Sequence, residues 1–119
     1  MQHSPEFLKI VDDAKSRIKE FSVAETIERM QQGAKLVDVR EDNEWDAGHA
    51  ANAVHLGRGI IERDIVKTFQ DKNTEIILYC GGGFRSALSA DNLQKMGYQN
   101  VSSMAGGWGA WKEANGPIE

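Results

Sequence analysis

The chain has 119 residues, 40% of them hydrophobic, with 14 Lys and Arg against 18 Asp and Glu and a single cysteine. That is the length of one domain with one core. A formal net charge of −4 speaks against nucleic acid as a main partner, one cysteine excludes an internal disulfide, and no apolar run is long enough for a membrane span. No signal-peptide pattern opens the chain, so a cytoplasmic, reducing setting without a membrane partner is expected.

Residues 1–20 read as a helical extension and 21–119 as the domain proper. Pro5 suits a first helical turn with Ser4 as its cap. Phe7, Ile10, Val11, Ala14 and Ile18 fall on one helical face, which is expected to pack on the domain and take no part in chemistry. Phe21 belongs to a short first strand. Ser22-Val23-Ala24-Glu25 matches a capping box and opens a helix with Ala24, Ile27 and Met30 inward, and Gly33 ends it. Residues 35–39 form the next strand, whose Leu36, Val37 and Val39 suit burial on both faces. Asp38 and Arg40 lie at its end, the side of an α/β sheet that faces ligands. On residue type alone they are either catalytic or an ion pair that holds loops. Glu44 is the natural partner for Arg40, and Trp45 reads as packing. His49 has no Cys, His or carboxylate around it at ligand spacing and is taken as a structural hydrogen-bonding residue. Val54-His55-Leu56 forms another short strand, and Gly57-Arg58-Gly59 turns the chain. Ile60, Ile61, Ile65, Val66 and Phe69 then have helical spacing and are expected in the core.

Ile76-Ile77-Leu78-Tyr79 is an apolar, partly β-branched run that reads as a buried strand. Residues 85–96 read as a helix, with Leu88, Leu93 and Met96 for the inner face and Asp91, Gln94 and Lys95 for the outer one. Between them stand Cys80, Gly81, Gly82, Gly83 and Phe84. Consecutive glycines lose conformational entropy and give no packing in return, so the loop is read as a backbone device. Its N–H groups, from Gly81 to Ser86, turn inward as a nest for an anion. The helix that follows adds its free N–H groups and the positive end of its dipole. A thiol so placed loses its proton readily, and the thiolate is the nucleophile. Arg85 adds a full positive charge. Further on, Gly97 caps the helix, Tyr98 packs, Val101 lies in the last strand and Gly106-Gly107 makes a turn. Trp108 and Trp111 are spaced for core or rim packing on a final helix, and Pro117 stops the chain.

Cysteine-dependent phosphatases resemble the loop but use Cys-x5-Arg. Here Arg85 comes one position early and Ser86 stands where that arginine is needed. The tighter nest suits a terminal persulfide sulfur rather than a tetrahedral phosphate. Together with Leu36-Val37-Asp38-Val39-Arg40, Glu44-Trp45, Gly48-His49, Gly97-Tyr98, Asn100-Val101 and Gly106-Gly107-Trp108, the loop makes the chain resemble the single-domain rhodanese family of sulfurtransferases over most of its length.

The resemblance implies a three-layer α/β fold: a largely parallel central sheet with helices on both faces, as the strand–helix alternation also requires. It implies transfer of sulfane sulfur from a donor such as thiosulfate to cyanide or a thiol, through a Cys80 persulfide. Gly81, Gly82, Gly83, Phe84, Arg85 and Ser86 would bind substrate. Arg58 would either join them from the loop that borders the site or stand exposed on the surface. Asp38 and Arg40 are implied to be structural, and no metal or organic cofactor is implied. The segment 48–53 departs from the family's Gly-His-Ile-x-Gly-Ala. Ala50 removes apolar volume, Ala51 stands where some relatives carry a basic residue, and Asn52 takes the place of glycine where φ must be positive. The alternatives are a persulfide carrier serving one protein partner and a rhodanese-like module with no catalysis.

Overall fold

A computed structural model of the protein describes residues 3–119. Helices and strands alternate: α1 (Pro5–Lys15), β1 (Lys19–Phe21), α2 (Val23–Gln31), β2 (Lys35–Asp38), α3 (Asp42–Ala47), β3 (Val54–His55), α4 (Ile61–Thr68), β4 (Ile76–Tyr79), α5 (Phe84–Lys95), β5 (Val101–Met104) and α6 (Gly107–Glu113). The five strands make one sheet in the order β1-β5-β4-β2-β3, and every pairing is parallel. Parallel strands need crossover connections, and helices on the two faces supply them. Residues 20 and 21 lie side by side within β1, which pairs with β5.

β4 is the centre of the sheet and is wholly buried. Alternation along it feeds two cores. Ile76 and Leu78 join Val37, Val39, Ile61, Ile65, Ala90 and Leu93 on the α4–α5 side. Ile77 and Tyr79 join Val23, Leu36, Met104 and Trp111 on the α2–α6 side. The connection leaving β2 runs to β3 on one flank, and the one leaving β4 runs to β5 on the other. Where neighbouring strands send their chains in opposite directions a crevice opens at their carboxyl ends, and Cys80 is the residue that follows β4.

Local signals account for most boundaries. Ser4 Oγ accepts from Phe7 N at 3.1 Å. Ser22 and Glu25 close a capping box, with Glu25 N donating to Ser22 Oγ at 3.1 Å and Ser22 N to Glu25 Oε1 at 2.9 Å. Asn52 holds φ at 68°, as its replacement of glycine requires.

Four expectations about faces need correction. In α2 the buried residues are Val23 and Thr26; Ala24 is exposed. Ile10 and Val66 are 52% and 42% exposed, since each sits at the margin of its helix's apolar stripe. Asp91 is buried rather than outward, because α1 covers the far side of α5. A carboxylate survives there because Arg17 Nε and Nη2 donate to its two oxygens at 2.9 and 2.7 Å. Helix α3 has no counterpart in the sequence reading; Glu41 N donates to Glu44 Oε1 at 3.0 Å at its start. Beyond Pro117 the chain still makes contacts: Ile118 bridges to Ala50, and Glu119 N donates to the His49 carbonyl at 2.8 Å.

Candidate active site

Cys80 follows β4 directly, and Gly83, with φ at +97°, is the N-cap of α5. The chain therefore turns from strand to helix within three glycines, and this curls the backbone around the sulfur. Gly83 N–H donates to Cys80 Sγ at 3.1 Å. Ser86 Oγ lies 3.5 Å from the sulfur and 2.7 Å from Ser103 Oγ of β5. A thiolate only accepts, so with Cys80 ionised the Ser86 hydroxyl donates to sulfur and the Ser103 hydroxyl donates to Ser86.

Burial pushes the Cys80 thiol up, but the Ser86 hydroxyl and the backbone N–H groups of Ser86, Gly82 and Gly83 outweigh it and leave the thiol below its ordinary value. Hydrogen bonds to the charged form win over desolvation here. The carbonyls of the same loop point the other way. Trp108 N donates to Cys80 O at 2.7 Å and Gly109 N to Gly81 O at 3.3 Å. The first turn of α6 thus takes up the loop's acceptors and leaves its donors free for an anion. Gly107 permits the approach. A Cβ there would lie 2.8 Å from both the carbonyl carbon and oxygen of Gly81, and closer still to the Cys80 oxygen. The sequence marked Gly107 only as part of a turn; its φ of +55° fits that, but its steric role depends on an approach that only the fold shows.

Arg85 lines the cavity next to Cys80, but it does not stand free. Its Nη1 and Nη2 donate to Glu44 Oε1 and Oε2 at 2.8 and 3.2 Å. This overturns the pairing of Glu44 with Arg40. Arg40 is instead held by Asp38, with Nη2 to Oδ2 at 2.8 Å and both side chains buried, and it also donates to the Gly48 carbonyl at 2.7 Å. The Asp38–Arg40 pair is structural: it ties the end of β2 to the loop before β3. His49 Nδ1 lies 3.0 Å from the Trp45 carbonyl, and its ring stacks on Trp45 with centroids 3.4 Å apart. Among the described residues no three His, Cys, Asp or Glu side chains gather where a metal ion would sit.

The cavity over Cys80 has a volume of about 890 Å³ and is lined by Gly81, Gly82, Phe84, Arg85 and Glu44, and by His3, Ser4 and Phe7 from the N-terminal segment. Gly83 and Ser86 lie beneath this lining, buried behind the sulfur. Arg58 is not among the residues that line it; its N–H donates to the Val39 carbonyl, and its Nε is buried without a hydrogen-bond partner.

The Rhodanese-like domain family matches residues 22–114. The chain belongs to the rhodanese-like family. Among curated relatives, the thiosulfate sulfurtransferase GlpE of Haemophilus influenzae is 35% identical over 102 residues, which cover 85% of this chain and 94% of the relative. A solved structure from Rhodopseudomonas palustris, of a protein of unknown function titled a possible tyrosine phosphatase, superposes with a TM-score of 0.85 at 31% identity and covers 100% of this chain and 98% of its own. The polysulfide-sulfur transferase homodimer of Wolinella succinogenes gives a TM-score of 0.83 at 25% identity and covers 96% of this chain and 87% of its own.

Within this rhodanese-like chain, Ser103, Gly107 and the segment carrying His3 and Phe7 are the site residues that sequence reasoning missed. Ser103 sits in a strand where serine is unusual on an inner face, which is a signal of sorts. His3 and Phe7 lie before the family match at residue 22, and only the docking of α1 on α5 brings them to the cysteine.

Proposed function

We propose that this rhodanese-type sulfurtransferase takes sulfane sulfur from a thiosulfate-like donor and passes it to cyanide or a thiol, with Cys80 as the carrier. The observation that carries the proposal is the pairing of a depressed thiol with inward N–H groups, Gly83 N standing 3.1 Å from Cys80 Sγ. In the first half-reaction the Cys80 thiolate attacks the outer sulfur of the donor. An S–S bond forms to Cys80, the donor's own S–S bond breaks, and its electron pair leaves with sulfite. In the second, cyanide or a thiolate attacks the outer sulfur and releases the Cys80 thiolate, with thiocyanate or a new persulfide as product. The loop N–H groups are fixed before the reaction begins, so stabilising the terminal persulfide anion needs no reorganisation. Gly81, Gly82, Phe84 and Arg85 face the incoming donor, and Ser86 supports the sulfur from behind. The names of the Haemophilus and Wolinella relatives, a thiosulfate and a polysulfide transferase, support the same class of donor.

Intact-mass measurement after incubation with thiosulfate is expected to add one sulfur atom to the wild-type protein and none to Cys80→Ser, and cyanide is expected to remove it. Persistence of the added sulfur in Cys80→Ser would refute the assignment of the nucleophile. A loaded protein that resists cyanide and small thiols would favour a carrier reserved for one protein partner. The Rhodopseudomonas title raises a phosphatase reading. The loop argues against it, since Arg85 is one residue too close to Cys80 and Ser86 occupies the required position. An aryl phosphate is therefore expected to show no Cys80-dependent turnover.

A further inference from the structure

The cavity over Cys80 is large for an inorganic donor and carries little free charge. Its volume of about 890 Å³ is in the range of ~300–1,000 Å³ that accommodates drug-sized organic ligands, far beyond the needs of thiosulfate. Its lining cation, Arg85, is bound through two hydrogen bonds to Glu44, which lines the same cavity. To a donor above the nest the pair presents almost no net charge. The same lining carries three aromatic rings. The His3 ring lies 4.6 Å from Phe84 and 5.2 Å from Phe7, and Phe7 lies 6.3 Å from Phe84, all centroid to centroid and all tilted. These are the spacings at which aromatic rings attract edge to face or offset. Lys15 Nζ stands 5.2 Å from the Phe84 centroid, but it is paired with Glu20 at 3.6 Å.

We infer that the N-terminal segment is a specificity element: His3 and Phe7, with Phe84, form a wall that selects sulfane-sulfur donors bearing a flat apolar substituent, such as aryl thiosulfonates. The inference rests on the sulfurtransferase reading and adds the substrate class. The chemistry balances as follows. The Cys80 thiolate attacks the sulfane sulfur of the aryl thiosulfonate, the bond from that sulfur to the sulfonyl sulfur breaks, and the electron pair leaves with the aryl sulfinate. Two anions react and two anions result, the Cys80 persulfide and the sulfinate. The nest serves the persulfide while the wall holds the ring, so the two ends of the donor are recognised by different parts of the chain.

The test compares kcat/KM for benzenethiosulfonate and methanethiosulfonate, with cyanide as acceptor, in the full chain. The wild-type ratio is expected to favour the aryl donor by about tenfold, the scale of one or two aromatic contacts. His3→Ala and Phe7→Leu are each expected to lower the ratio, chiefly by raising KM for the aryl donor. His3→Phe and Phe7→Tyr, which keep a ring, are expected to hold it. His3 precedes α1, so its replacement leaves the helix intact, and thermal unfolding checks this for the Phe7 variants. A wild-type ratio near one, or the same ratio for the Ala and Phe variants at position 3, would overturn the inference while leaving the sulfurtransferase intact. Failure of every donor to load Cys80 in the intact-mass measurement would instead overturn both.

Discussion

Burial of the Cys80 sulfur opposes ionisation, and a hydroxyl with three backbone N–H groups reverses the balance. The Ser86 hydroxyl is the part of that set that mutation can remove alone. In Ser86→Ala the alkylation of Cys80 at neutral pH is expected to slow by about tenfold, the lower end for losing a hydrogen bond to a charged group. Ser103→Ala is expected to slow it less, since Ser103 acts only by orienting Ser86 across 2.7 Å. In both variants a rate-versus-pH curve should move its midpoint up towards the free-thiol value of ~8.5, while the plateau at high pH stays; a lower plateau with an unmoved midpoint would mean blocked access instead. Glu44 is the second residue to test. Its carboxyl is held below the usual range by the Arg85 hydrogen bond first, with burial opposing. Glu44→Gln frees the guanidinium from its counter-charge, so kcat/KM for thiosulfate is expected to rise by about tenfold. Arg85→Ala leaves a carboxylate facing the donor, and a comparable fall is expected.

Among the elements, the loop after β4 depends on α6 as much as on its own glycines. Gly107→Ala places a methyl group against the carbonyls of Cys80 and Gly81 in a residue whose φ of +55° already disfavours a side chain. The loop or α6 must move. Sulfur transfer is expected to fall more than a hundredfold, with Cys80 alkylation slowed in parallel, because the N–H groups that face the sulfur belong to the displaced segment. This dependence marks the limit of what the sequence conveys. The parallel α/β fold, the strand Ile76–Tyr79 and the Cys80 loop are written in contiguous residues, because strand alternation, glycine runs and helix caps act locally. The Glu44–Arg85 pair is not, since both Arg40 and Arg85 were available to one carboxylate and only the path of α3 decides. Nor is the inward turn of Asp91, whose outward reading assumed that α5 has one covered face. Ala90 and Leu93 lie against the sheet side, and α1 takes the other.

Over the whole molecule, Arg17 adds a charged link to the packing of Val11 and Ala14 that docks the N-terminal segment on the rest. It reaches from the end of α1 to both oxygens of Asp91 and to Asp13, with Nη2–Oδ2 distances of 2.7 and 2.9 Å. The Arg17 hydrogen bond is the main cause holding the Asp91 carboxyl below its ordinary value, with burial opposing. A carboxylate whose folded value is depressed stabilises the fold above its unfolded value of ~3.9 and loses that contribution as pH falls through the folded value. Wild-type stability is therefore expected to decline below pH ~4, and Asp91→Asn is expected to be less stable than wild type at neutral pH and to flatten the acid limb. Urea denaturation from pH 2 to 7 checks both; an acid limb unchanged in Asp91→Asn would remove this pair from the account.

The clamp of α6 on the Cys80 loop also bears on the order in which the protein is made. Synthesis delivers Cys80 before Gly107, and a domain generally folds as a unit; here β1 cannot pair until β5 has emerged. Until the last helix docks, the carbonyls of residues 80 and 81 lack their donors, the N–H groups of Trp108 and Gly109, and the loop that curls around the sulfur is not held in place. A chain that stops before α6 is therefore expected to carry an ordinary thiol, slow to meet oxidants and stray persulfides, which its alkylation rate would check. Reactivity thus awaits the docking of α6, and the chemistry of the cysteine doubles as a reporter of whether this domain has closed.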